Sequence, residues 1–173
     1  MPSLAAEGDF IMKEIILAKY GEIILKGGNR PRFESILINN INNATKNVAK
    51  AHVRISQATV YVDVEDQDKI DIMIGRMSKI FGIVSITRAA VCPKDIEQIK
   101  TIAKEYLKPS LADGVRFKVE AKRSDKNFPL NSPQICMEVG GYLDDEFPNI
   151  IVDVHNPDAT VKVEIRETAA YVY

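Results

Sequence analysis

Along the chain from Lys13 the spacing of apolar and polar positions changes period several times, and the order of those changes predicts the architecture. Residues 13–19, KEIILAK, are short and β-branched, as a strand requires. A loop with Gly21, Gly27 and Gly28 leads to a helix that starts near Pro31, in which Phe33, Leu37, Ile41, Ala44 and Val48 recur every three or four positions and share one face. Residues 52–56 and 59–64 alternate with period two and are separated by Gln57-Ala58, which predicts neighbouring strands. Asp68 can cap a second helix with the face Ile70, Met73, Met77 and Ile80, ended by Gly82 where a left-handed residue is needed. Residues 83–91, IVSITRAAV, close the unit as a strand. The order β-α-β-β-α-β is the ferredoxin-like arrangement, two helices over one face of a four-stranded antiparallel sheet.

A second unit opens after Pro93. Asp95 with Gln98 resembles a capping box, and Ile96, Ile99, Ala103 and Leu107 give a buried stripe that Pro109 stops. Residues 115–122 alternate: Val115, Phe117, Val119 and Ala121 to a core face, Arg116, Lys118, Glu120 and Lys122 to a wet one. After a polar loop, RSDKNFPLN, Ser132 caps a helix with Pro133 at its first position, burying Ile135, Val139 and Leu143. Strands are expected at 150–154 and 160–166, with a further strand-like stretch, AAYVY, up to Tyr173. The fold class is therefore α+β, a ferredoxin-like domain over 13–91 followed by a small α/β domain over 92–173. Residues 1–12, small and acidic, read as a disordered leader or an expression remnant.

A length of 173 residues admits one large domain or two small ones, and 46% hydrophobic with 27% charged residues excludes a disordered chain. Two cysteines, Cys92 and Cys136, and two histidines form no zinc-ligand spacing and no disulfide scaffold. Both thiols read as buried small hydrophobes. No apolar run is long enough to span a bilayer and no signal peptide is evident, so a cytoplasmic protein without a membrane partner is the expectation.

The near-neutral total, 23 Lys and Arg against 24 Asp and Glu, conceals opposed segments. Residues 13–54 hold eight basic and three acidic side chains, residues 92–128 nine and six, and residues 129–173 two and eight. Screening confines exposed charges to roughly 8 Å in physiological salt, so a positive face can act despite acids elsewhere. Lys26, Arg30 and Arg32 fall in one loop and helix start; Lys122, Arg123 and Lys126 fall around the loop of the second unit. Composition alone reads these as ordinary solvated charges as readily as a polyanion site. Phe128 is the aromatic that stands among them as a base-stacking candidate.

No catalytic constellation stands out. Gly27-Gly28 and Gly140-Gly141 lack the spacing of a phosphate cradle; the first pair reads as a turn before a helix, the second as a close-packing site within one. His155-Asn156-Pro157-Asp158 is a turn by its chemistry, from which His155 can also reach a base or phosphate.

Residues 19–34, KYGEIILKGGNRPRFE, 117–128, FKVEAKRSDKNF, and 152–173, VDVHNPDATVKVEIRETAAYVY, resemble the tRNA 4-thiouridine synthetase (tRNA sulfurtransferase) family of bacteria and archaea. The resemblance covers nearly everything after Met12: a ferredoxin-like domain, then a THUMP domain. The second and third stretches are shared more widely among THUMP-bearing tRNA modification enzymes.

The resemblance implies that these domains hold the acceptor region and 3′ end of tRNA, while a C-terminal domain activates a uridine with ATP and magnesium for replacement by persulfide sulfur from a cysteine desulfurase. It also implies links to 4-thiouridine and thiamine biosynthesis, and a homodimer. The sequence holds no SGG-type nucleotide loop, so the chain alone is expected to bind tRNA without thiolating it and to use no cofactor itself. The expected RNA contacts are Lys122, Arg123 and Lys126 with Asn127 and Phe128; then Lys26, Arg30 and Arg32; then His155 with Arg166. The alternatives are the RNA-binding part of another THUMP enzyme, such as a methyltransferase or deaminase, and a protein-interaction or assembly module.

Overall fold

The computed structural model describes residues 12–21 and 28–173. It resolves into two compact units, Glu14–Ala89 and Ala90–Val172, the latter joined by Met12 and Lys13. Among the described residues, no helix is long and apolar enough to cross a membrane.

The first unit runs β1 (Glu14–Tyr20), α1 (Arg30–Thr45), β2 (Ala51–Ser56), β3 (Thr59–Val64), α2 (Ile70–Met77) and the start of β4 (Ile83–Cys92). Its strands lie in the order β2-β3-β1-β4, and β3 pairs antiparallel with both β1 and β2. That is the expected βαββαβ topology. Ile16, Ala18 and Tyr20 of β1 and Val60, Val62 and Val64 of β3 share one face with Leu37 and Ile41 of α1 and Ile70, Met73 and Met77 of α2. The period-two and period-3.6 patterns meet in this core, each large side chain contributing about 1.5–3 kcal/mol by leaving water. The β2-β3 turn puts both Gln57 (φ 49°) and Ala58 (φ 62°) in the left-handed region, as a two-residue hairpin requires. Asp68 does not cap α2: Asp66 accepts from the Asp68 amide and starts a short 3-10 turn, Gln67–Lys69, which leads into the helix.

The second unit contains the end of β4, α3 (Ile96–Leu107), β5 (Arg116–Arg123), α4 (Ser132–Glu146), β6 (Ile151–Val152), β7 (Ala159–Ile165) and β8 (Ala170–Val172). β5 pairs parallel with β6 on one side and β7 on the other, and β8 runs antiparallel to β7 and to the end of β4. Phe117, Val161, Val163 and Ile165 face Ile99, Ala103, Ile135, Val139 and Leu143 of the two helices. α4 begins one residue earlier than Ser132 suggests: Asn131 accepts from the Gln134 amide, and the Gln134 side chain accepts from the Asn131 amide, a complete capping box. At α3 the Asp95 carboxylate accepts from the Gln98 amide.

The reading of residues 1–12 as a leader falls outside the described residues except at Met12, which packs against the second core. The expected strand over 150–154 shrinks to Ile151–Val152, because Asp153 turns back and accepts the amides of His155 and Asn156.

Candidate nucleic-acid interface

β5 alternates as its sequence requires: Phe117 is buried, while Arg116, Glu120 and Lys122 are exposed. The parallel register with β7 sets Glu120 beside Lys162, and Lys118 donates from Nζ to Glu120 Oε1 at 2.7 Å. The hydrogen bond from Lys118 first, then the charges of Lys118, Lys162 and Lys122, hold the Glu120 carboxyl below the usual range. Three lysines thus gather on one sheet face around one carboxylate. Among the described residues, Lys122 makes no ion pair.

Directly after Lys122 the chain enters a heavily tied loop. Arg123 donates from Nη1 to the Phe128 carbonyl at 3.0 Å. The Ser124 amide and hydroxyl both reach the Ile165 carbonyl, at 3.0 and 3.1 Å. The Asp125 carboxylate accepts from Lys94 Nζ, which also meets the Glu167 carbonyl at 2.7 Å, and from the Asn127 amide at 2.9 Å. Lys94, then the Asn127 amide, keep the Asp125 carboxyl below its ordinary value. With both ends of the loop pinned, Lys126 and Asn127 stand exposed between them. A fixed loop presents its charge without losing further conformational freedom on binding.

Phe128 is not a stacking side chain. Its ring is 4% exposed within the second core, where it anchors the loop from below, so no base can reach its face. Arg166 is likewise removed from the set of RNA contacts: its side chain is 11% exposed and pairs with the 2%-exposed Glu164 at 3.1 Å. An exposed His155 remains in its turn, but the parallel register puts it beyond the start of β7 while Arg166 follows its end. Seven strand residues at about 3.3 Å each separate them by roughly 20 Å, so the two do not form a pair.

In the first unit, Lys26 lies outside the described residues. Arg30 donates from Nε to Glu34 Oε1 at 2.7 Å, and the Tyr20 hydroxyl donates to the same oxygen at 2.6 Å. Burial first, then the bond to Glu34, push the Tyr20 hydroxyl up to about 12. Tyr20 also meets the Phe33 ring, centroids 5.6 Å apart. The Tyr20, Arg30 and Phe33 positions of the 19–34 stretch therefore fasten the start of α1 to β1. Arg32 is exposed and, among the described residues, has no ion-pair partner.

Sequence reasoning passed over Lys94 and Lys162. Lys162 carries a signal in the alternation of β7, once β7 is known to run beside β5; Lys94 carries none, since its partners lie 31 and 73 residues away. The thiols divide: Cys92 is buried, which pushes it up to about 12, whereas Cys136 is only partly buried and borders a surface groove.

Comparison with known proteins finds two family models along the chain. The ThiI ferredoxin-like domain matches residues 15–87 and the THUMP domain residues 93–173. A probable tRNA sulfurtransferase of Alkaliphilus metalliredigens is 43% identical over 158 residues, 90% of this chain and 40% of that protein. The chain thus spans about 40% of the length of the curated relatives it matches. Among solved structures, PH1313 from Pyrococcus horikoshii is 29% identical with a TM-score of 0.79, covering 92% of this chain and 53% of that one. A 4-thiouridine synthetase crystallised as an RNA complex with bound ATP is also 29% identical, with a TM-score of 0.75 and coverage of 93% and 40%.

Proposed function

The chain belongs to the tRNA sulfurtransferase family, of which it carries the ThiI ferredoxin-like and THUMP domains, and from that premise we propose that it holds tRNA by its acceptor region and 3′ end for sulfur transfer. The observation that carries this reading is the cationic strip of the second unit: Lys118, Lys122 and Lys162 around Glu120, continued by Lys126 and Asn127 on a pinned loop. Backbone contacts from lysines give affinity and position without reading sequence, which suits a domain that accepts many tRNAs. A lysine strip on a strand face meets phosphates, and an exposed amide side chain meets sugar or base edges at an unpaired end. The relative with RNA bound supports the same reading by likeness. Arg32 in the first unit is the secondary phosphate contact.

On this reading the ATP- and magnesium-dependent step belongs to the part of the longer relatives that the match does not reach, and no residue of this chain is assigned to it. Working limits of 13–91 and 92–173 for the two domains serve for dissecting the contributions. The deciding experiment is a titration of tRNA, with and without its single-stranded 3′ end, at two salt concentrations. Micromolar or tighter binding that weakens steeply with salt and on removal of the 3′ end is expected, because counterion release drives it. Salt-tolerant association with no preference for tRNA would instead make the chain an assembly module.

A further inference from the structure

On the helix side of the second sheet, α4 and the edge strand β6 enclose an open groove of about 260 Å³. Its walls are apolar and wet: Met137 is 76% exposed, Val152 54% and Val154 60%. Its floor contains Gly140 and Gly141. A side chain at Gly141 would meet nothing within 4 Å, so packing does not demand that glycine. A glycine in mid-helix costs about 1 kcal/mol relative to alanine. The third feature is Asp144, which lines the groove and with Asp145 and Glu146 forms the last turn of α4. Carboxylates there stand at the negative end of the helix dipole, where bases are favoured, and the turn has no basic residue. Glu146 is matched by Lys104 at 2.7 Å, while Asp144 and Asp145 have no ion pair among the described residues. The groove's other charged neighbour, Lys118, is held by Glu120.

Three choices that each oppose local stability therefore converge on one surface: a needless helix glycine, exposed apolar side chains and an acidic C-terminal turn. Such convergence marks a site kept for binding. The charge decides the occupant. Nucleic acid is repelled by the acidic turn, and a purely apolar segment would leave Asp144 unmatched at the rim. We propose that the groove docks a polypeptide segment presenting an aliphatic side chain next to a lysine or arginine, the side chain seated over Gly141 and the cation at Asp144. The groove borders the lysine strip at Lys118, which lines it, while alternation along β5 sends Phe117 and Val119 to the groove side and Glu120 and Lys122 to the other.

The test uses the whole 173-residue chain with methyl-labelled methionine, of which Met137, assigned with Met137→Leu, reports on the groove. The probe is a synthetic peptide of repeated Leu-Lys-Arg units, with a Leu-Glu-Asp counterpart as control. The basic peptide should shift the Met137 methyl saturably at micromolar concentration and the acidic one should not. Gly141→Leu, which fills the groove, and Asp144→Lys should each weaken binding at least tenfold. Both substitutions improve the helix locally, so neither variant should melt below the parent protein. Failure of the basic peptide to shift Met137, binding unaffected by either variant, or a Met137 shift with tRNA but not with peptide would each overturn the proposal.

Discussion

Arg123 donates from Nη1 to the carbonyl of Phe128, 3.0 Å away, and so closes the loop from which Lys126 and Asn127 project. The bond joins the last residue of β5 to the backbone of a residue whose ring is sunk in the core. Of the five residues the sequence marks in this stretch, two build the platform and three stand on it. Positioning and contact are divided between neighbours in the chain.

Alanine at Lys122 or Lys126 should leave the thermal melt unchanged and weaken tRNA binding by about five- to tenfold each, the scale of one lost charge-assisted contact. The slope of log K against log salt should fall by about one for each. Filter binding at several salt concentrations, beside a melt of each variant, checks both. An unchanged slope for the double variant would remove the site.

Phe128→Ala should destabilise the second unit by about 3–5 kcal/mol, the cost of a large cavity in a packed core. Chemical denaturation measures this directly. If the ring instead stacked on a base, the variant would lose RNA affinity at unchanged stability.

The Asp125 carboxyl is held below its ordinary value by Lys94 and by the Asn127 amide, so its folded pKa lies below the unfolded one. Its contribution is therefore complete above the unfolded value of about 3.9 and lost as pH falls through the lower, folded value. Denaturation of the parent and of Asp125→Asn across pH 3 to 6 should show a stability difference that is constant at the upper end and shrinks toward the lower. A constant difference throughout contradicts the pairing with Lys94.

Breaking the buried Glu164-Arg166 pair from one side, with Arg166→Met, should cost about 3–5 kcal/mol, because a buried carboxylate loses its guanidinium partner. The double variant with Glu164→Gln should recover much of that loss. tRNA affinity per folded molecule should be unaffected by the double variant, which separates a structural pair from an RNA contact.

Replacing Gln57-Ala58 by Asn-Gly should raise stability by about 1 kcal/mol or more, since both positions occupy left-handed backbone that only those residues adopt readily. Unfolding midpoints in urea decide it.

Periodicity alone determined the order of elements, the ferredoxin-like topology of the first unit, and the core faces of α1, α3, α4 and β5. Each depends on spacings within a dozen residues, and burial rewards those spacings wherever the element ends up. Sequence likewise determined that Lys122 faces water, because alternation about Phe117 leaves it no other side. What it left open depended on partners far along the chain. Phe128 and Arg166 read as exposed in a polar stretch and a charged strand end; the core beneath the one and Glu164 beside the other removed them from the surface. Asp66 and Asn131 replaced Asp68 and Ser132 as caps because the choice between neighbouring polar residues depends on where the backbone first turns helical. Lys94 reaches across 31 residues to Asp125, and Lys162 joins the lysine strip only through the parallel pairing of β7 with β5. A strand's local pattern says which way a side chain points, but the tertiary fold alone decides which other strand lies beside it and what charge it meets there.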